Sequence, residues 1–211
     1  MSLRLSLALS FGAFALAFLW LRSAPSRALA EREASWGTSI QEGDLVFQDL
    51  RCGRRCALIR EITESNYTHV GVVLGEGGER VVWEAFGPVG PTPLAEWVRR
   101  VQDGKVAVYR PIEAPRPDEL AAALAEMEGR PYDGLYLWDD ERIYCSELIA
   151  KAYAALGRPF TPRPVSLGRF RAEVERLSQG RLTEGTVMVT PVDLVRSGRF
   201  RRVRDELSPT T

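Results

Sequence analysis

The stretch "HVGVVLGEGGERVVWEAF", residues 69–86, decides how this chain folds. Two runs rich in β-branched residues flank "GEGG", a pattern that predicts a β-hairpin. With Gly75–Gly78 as a four-residue loop, Leu74 faces Glu79 and Val73 faces Arg80. Continued outward, that register places His69 directly opposite Glu84, where cross-strand Cβ atoms lie about 4.5–5.5 Å apart. His69 is the only histidine in 211 residues. Glu84 sits inside the apolar run "VVWEAF", where a charge is costly unless it is paired. A carboxylate at that position can hold one imidazole nitrogen and fix the tautomer.

Other elements group around the hairpin. "GDLVFQDL" (43–50) and "KVAVYRP" (105–111) read as strands. "RRCALIREITES" (54–65) has helical spacing, and "PTPLAEWVRRV" (91–101) reads as a proline-started helix. "RPDELAAALAEMEGRPYDG" (116–134) predicts a helix ended by Gly129 and Pro131. "YCSELIAKAYAALGRPF" (144–160) predicts a second, stopped by Gly157 and Pro159. "GTVMVTPVDLVRSG" (185–198) reads as a strand and a helical turn, and the arginine-rich "GRFRRVRDE" as a solvated surface. Strands grouped centrally with helices on either side indicate an α+β fold.

Formal net charge is zero, so no basic excess points to nucleic acid. Residues 1–30 differ from the rest. Arg4 precedes an uncharged run from Leu5 to Leu21, and Ala28-Leu29-Ala30 fits a small-x-small cleavage site. That layout predicts a signal peptide or an N-terminal membrane anchor through residues 5–21, and hence an exported protein of the periplasm or cell envelope. Residues 31–211 then form a single domain with 25 basic and 28 acidic residues.

Cys145 stands in the first turn of its predicted helix, on the face shared by Leu148, Ile149, Ala152 and Leu156. The free N–H groups and positive dipole end of a helix N-terminus favour a thiolate and can hold an oxyanion. Cys145, His69 and Glu84 together make a nucleophile, a base and a residue that orients the base. Ser146 lacks a second base and reads as a first-turn helix residue. Tyr132 in "RPYDG" and Tyr67 before the histidine are candidates for lining a substrate pocket or donating to an oxyanion.

The blocks "GDLVFQ", "NYTHVGVV", "VVWEAF", "PYDGLYLWDDERIYCSELIAKAY" and "VTPVDL" come in an order that resembles the YiiX/YebB-like cysteine hydrolases. These are circularly permuted relatives of the NlpC-type papain-like fold. The resemblance spans roughly residues 40–196, and "THVGVV" and "YCSEL" are its specific parts. It implies a central antiparallel sheet packed with helices, with the nucleophile at a helix N-terminus. It also implies Cys145 as nucleophile, His69 as base and Glu84 as third residue, with no cofactor.

Cys52 and Cys56 leave alternatives open. In an oxidising compartment they can pair as a disulfide and leave one free thiol. In the rival reading Cys52, Cys56, Cys145 and His69 form a zinc set. The expected reaction is acyl transfer through a thioester on an amide or ester, and a cell-envelope peptide such as a peptidoglycan stem peptide is the expected substrate. A lipid amide or ester is the alternative, and a non-catalytic small-ligand or peptide-binding module is the non-enzyme reading.

Overall fold

The computed structural model describes residues 39–50, 52–76, 79–101 and 105–207. The predicted leader of residues 1–30 lies outside them. Six strands form one antiparallel sheet: β1 (Leu45–Gln48), β2 (His69–Leu74), β3 (Val81–Ala85), β4 (Val89–Pro93), β5 (Ala107–Pro111) and β8 (Phe200–Asp205), in the order β4-β3-β2-β1-β5-β8. A separate two-stranded ribbon joins β6 (Arg163–Pro164) to β7 (Val187–Met188). Helices are α1 (Arg54–Thr63), α2 (Leu94–Arg99), α3 (Pro117–Ala125), α4 (Cys145–Ala155), α5 (Arg171–Leu177) and α6 (Pro191–Arg196).

Alternation in the strands explains why the sheet is covered on both faces. Leu45, Phe47, Val70, Val72 and Leu74 point to one side, where they meet Leu148, Ile149 and Ala152 of α4 and Leu120 and Leu124 of α3. Val46, Val73, Val82 and Val108 point to the other, against Trp97 and Val98 of α2. A fully buried Leu, Ile or Val contributes about 1.5–3 kcal/mol. The predicted face of α4 is therefore what fastens the helix that begins at Cys145 to the sheet.

The hairpin register differs from the expectation. Val72 pairs with Trp83, Val73 with Val82 and Leu74 with Val81. The loop runs from Gly75 to Arg80, two residues longer than the four-residue loop. A shift of two leaves every side chain on its own face, because the strand period is two. Glu84 thus stays on the face of His69, but diagonal to it and beside Gly71. A Cβ on Gly71 would lie 2.4 Å from Val82 Cγ1 and 2.9 Å from the Trp83 carbonyl oxygen, so this crossing admits only glycine.

Another expectation needs correction. Residues 89–93 form edge strand β4, and the helix starts only at Leu94. Pro91 and Pro93 are tolerated there because an edge strand can turn its missing donors away from the ladder. "FRRVRD" does keep Arg201 and Arg202 exposed, as a solvated surface, and it does so as edge strand β8 on β5, its arginines supplying the charge that discourages further pairing.

Candidate active site

Cys145 opens α4 because its neighbours pin the helix start. Tyr144 is extended and its backbone N–H donates to Glu147 Oε2 at 3.1 Å. The Val189 N–H donates to the Tyr144 hydroxyl (3.1 Å), and the Ser146 hydroxyl donates to the Val189 carbonyl (2.7 Å). Ser146 is thus a structural residue of the first turn. Cys145 is a free, buried thiol.

His69 is the first residue of β2, so its ring stands at the end of the sheet beside the start of α4. Its Nε2 lies 2.7 Å from Glu84 Oε2, with both residues 2% exposed. Cys145 lines the same cleft as His69 and acts on its imidazole, favouring the charged ring. With Nε2 committed to Glu84, Nδ1 is the nitrogen left for sulfur. Burial opposes a charged imidazole, but the hydrogen bonds and charges of Cys145 and Glu84 prevail and carry the His69 pKa up to about 9. Glu84 is pushed up by burial and pulled down more strongly by His69, Thr92 and Arg100, and ends below the ordinary carboxylate range.

Two partners of Glu84 were not foreseen. The Thr92 hydroxyl donates to Oε1 at 2.6 Å, and Arg100 Nη2 donates to the same oxygen. The Arg100 guanidinium also lies 4.1 Å from the centroid of Phe86, whose ring meets His69 edge-on at 5.7 Å. Thr92 was hidden because its position depends on β4 being a strand. Arg100 carried no local signal, since the C-terminal end of α2 meets Glu84 only through the fold.

The candidate substrate residues separate. Tyr132 lines the cleft with Cys145 and His69. Burial and the nearby Cys145 push its phenol far up, so it remains a donor throughout the useful pH range. Tyr67 lies elsewhere. It packs on Phe47 in the main core, and its hydroxyl bonds Asp205 (2.6 Å) and Tyr109 (3.1 Å), which turns it away from the cleft.

The cleft holds about 640 Å³. Beyond the end that holds Cys145 and His69 its walls are apolar: Leu58 and Ile62 of α1 face Leu167, Val174, Leu182 and Met188. Arg54 clamps these walls together by donating through Nε and Nη2 to Glu173 of α5 at 2.7 and 2.5 Å. Cys52 and Cys56 at the cleft rim are joined in a disulfide with Cα atoms 5.2 Å apart. Their thiolates are therefore unavailable for the zinc set, and among the described residues no group of three His, Cys, Asp or Glu side chains is arranged to hold a metal ion.

A thiol at a helix N-terminus, beside a histidine on the neighbouring sheet that a carboxylate holds, is the arrangement of a papain-like site in which the histidine precedes the cysteine. A family profile described as permuted papain-like amidase enzyme, YaeF/YiiX, C92 family, matches residues 39–204, and the chain belongs to that family. The family is described as one of papain-like amidases. The chain is 36% identical over 121 residues to the uncharacterized protein YiiX of Escherichia coli strain K12, an alignment covering 56% of this chain and 59% of that protein. The chain thus spans less than two thirds of the curated relative's length. The fold is similar to the crystal structure of the metalloprotein YiiX from Escherichia coli O157:H7, with a TM-score of 0.72, 28% identity, and coverage of 81% of this chain and 99% of the other.

Proposed function

We propose that this protein is a cysteine amidase that hydrolyses an amide, or an ester, whose acyl part is a long apolar chain, using Cys145 as nucleophile, His69 as base and Glu84 to orient the base. The observation that carries the substrate class is the apolar cleft leading away from Cys145. A polar stem peptide would leave those walls facing water or unmatched polar groups, whereas each buried CH₂ of an acyl chain contributes about 0.8 kcal/mol. The Cys145 thiolate attacks the carbonyl while the first-turn N–H groups of α4 and the Tyr132 hydroxyl serve as oxyanion donors. The His69 imidazolium gives its proton to the departing amine, and a thioester forms. His69 then takes a proton from water, which attacks the thioester and releases the acid.

A cell-envelope setting is supported by the leader-like residues 1–30 and by the Cys52–Cys56 disulfide, which suits an oxidising compartment. Among the described residues no helix is long and apolar enough to cross a membrane, so any membrane attachment rests on residues 5–21. YiiX of the O157:H7 strain is described as a metalloprotein. The donors here do not suit a metal, since two of the three cysteines bond each other and His69 Nε2 is held by Glu84.

A chain-length series of N-acylglycines, with a stem peptide beside it, tests the reading. Activity (kcat/KM) should rise about fourfold per added CH₂ until the cleft is filled. A flat series combined with faster cleavage of the stem peptide would reject the acyl-chain assignment and restore the wall peptide.

A further inference from the structure

The cleft has an apolar length and a charged head. On α1, Arg55, Leu58, Ile59 and Ile62 follow one another at helical spacing along the wall of the cleft. Arg55 occupies the end next to the loop that carries Tyr132 and Tyr136. Its Nη1 would lie 3.4 Å from a Cβ on Gly134, so the bare glycine lets the guanidinium rest against that loop. The same guanidinium acts electrostatically on both tyrosines, and both feel the Cys145 thiol.

Neighbouring arginines are committed. Arg54 holds Glu173 and Glu61, and Arg60 holds Asp49. Among the described residues Arg55 is a cation without a carboxylate partner, with a planar fork of donors, lining the same cleft as the Cys145 thiol and standing at the head of its apolar wall. A fork of this kind matches a carboxylate bidentately.

We propose that Arg55 is a specificity-determining residue that binds a carboxylate on the substrate, so that the substrate is an N-acyl amino acid and not a neutral fatty amide. The inference rests on the acyl-chain reading above for the rest of the substrate, but the field of Arg55 can be measured without it.

Two reagents of nearly the same size test that field. Iodoacetate carries a carboxylate and iodoacetamide does not, and both alkylate Cys145 in the full chain. Arg55→Met should lower the ratio of the iodoacetate to the iodoacetamide rate about three- to tenfold, with His69 unchanged as an internal reference for the thiol. An unchanged ratio would mean that Arg55 does not reach an anion at the thiol, and would overturn the proposal.

The substrate arm uses N-octanoylglycine and N-octanoylglycinamide, which share the acyl chain and the scissile amide. The parent should prefer the carboxylate about tenfold in kcat/KM. Arg55→Met should remove most of that preference, the loss falling mainly on kcat/KM for the carboxylate compound, and Arg55→Lys should restore part of it. If both compounds are cleaved with no preference, or with one that survives Arg55→Met, the Arg55 assignment fails and the acyl-chain reading stands. If neither is cleaved while the stem peptide is, the acyl-chain reading itself fails, and the N-acyl amino acid with it.

Discussion

Replacing Glu84 by Gln removes a negative charge and keeps the shape of the side chain. In the parent, His69 titrates near 9 against an ordinary value of 6.5, about 3 kcal/mol of preference for the imidazolium. That preference is shared between the thiol and the carboxylate. A charge-assisted hydrogen bond such as the 2.7 Å contact to Glu84 contributes about 1.5–3 kcal/mol. Its loss should therefore lower the His69 titration by about one to two pH units. The active thiolate–imidazolium pair disappears when the imidazolium deprotonates, so the alkaline limb of kcat/KM should fall from near pH 9 to about pH 7–8. That limb belongs to the thiol and imidazole as a unit. The linked stability has the same sign. A raised histidine pKa stabilises the fold fully below about pH 6.5 and fades as pH rises through about 9, so the variant should lose most stability at and below about pH 7, with the difference fading as pH rises to about 9. The assay is a pH profile of kcat/KM on N-octanoylglycine, with iodoacetamide alkylation of Cys145 as a substrate-free check. An alkaline limb within 0.3 units (~0.4 kcal/mol) of the parent in both would refute the role of Glu84 as the orienting carboxylate.

His69→Ala should lower kcat/KM about a thousandfold and abolish alkylation of Cys145 at neutral pH. Turnover that survived would end the base assignment, since the chain has no other histidine to substitute. Gly71→Ala drives a methyl group toward the Trp83 backbone carbonyl, which cannot yield as a side chain can, and should destabilise the protein by about 1–3 kcal/mol. A melting temperature unchanged to within about a degree would contradict the packing of β2 on β3. The paired change Cys52→Ser with Cys56→Ser opens a ring of sequence separation 4 and should cost about 2 kcal/mol in urea unfolding, while Cys145 stays as reactive as before. Loss of Cys145 reactivity would instead tie the disulfide to the site.

The sequence by itself determined what depends on period and on neighbours along the chain. Helical spacing showed which face of "CSELIAKAYAAL" is buried and that Cys145 stands at its start. Strand alternation put His69 and Glu84 on one face, and that conclusion survived a loop two residues longer than the turn signal suggested, because a shift of two preserves the face. Only the tertiary structure decided what depends on contacts between distant segments. It made 89–93 an edge strand and thereby brought Thr92 to Glu84. It carried Arg100 to the same carboxylate, turned Tyr67 into the core by giving its hydroxyl to Asp205, and made the charged run 200–205 the last strand of the sheet. The apolar cleft is the clearest case. Its walls come from α1 and from residues 165–188, and the clamp between Arg54 and Glu173 closes over 119 positions of sequence. Neither segment has a local pattern that names the other, because burial between them is a property of the packed chain and not of either stretch alone.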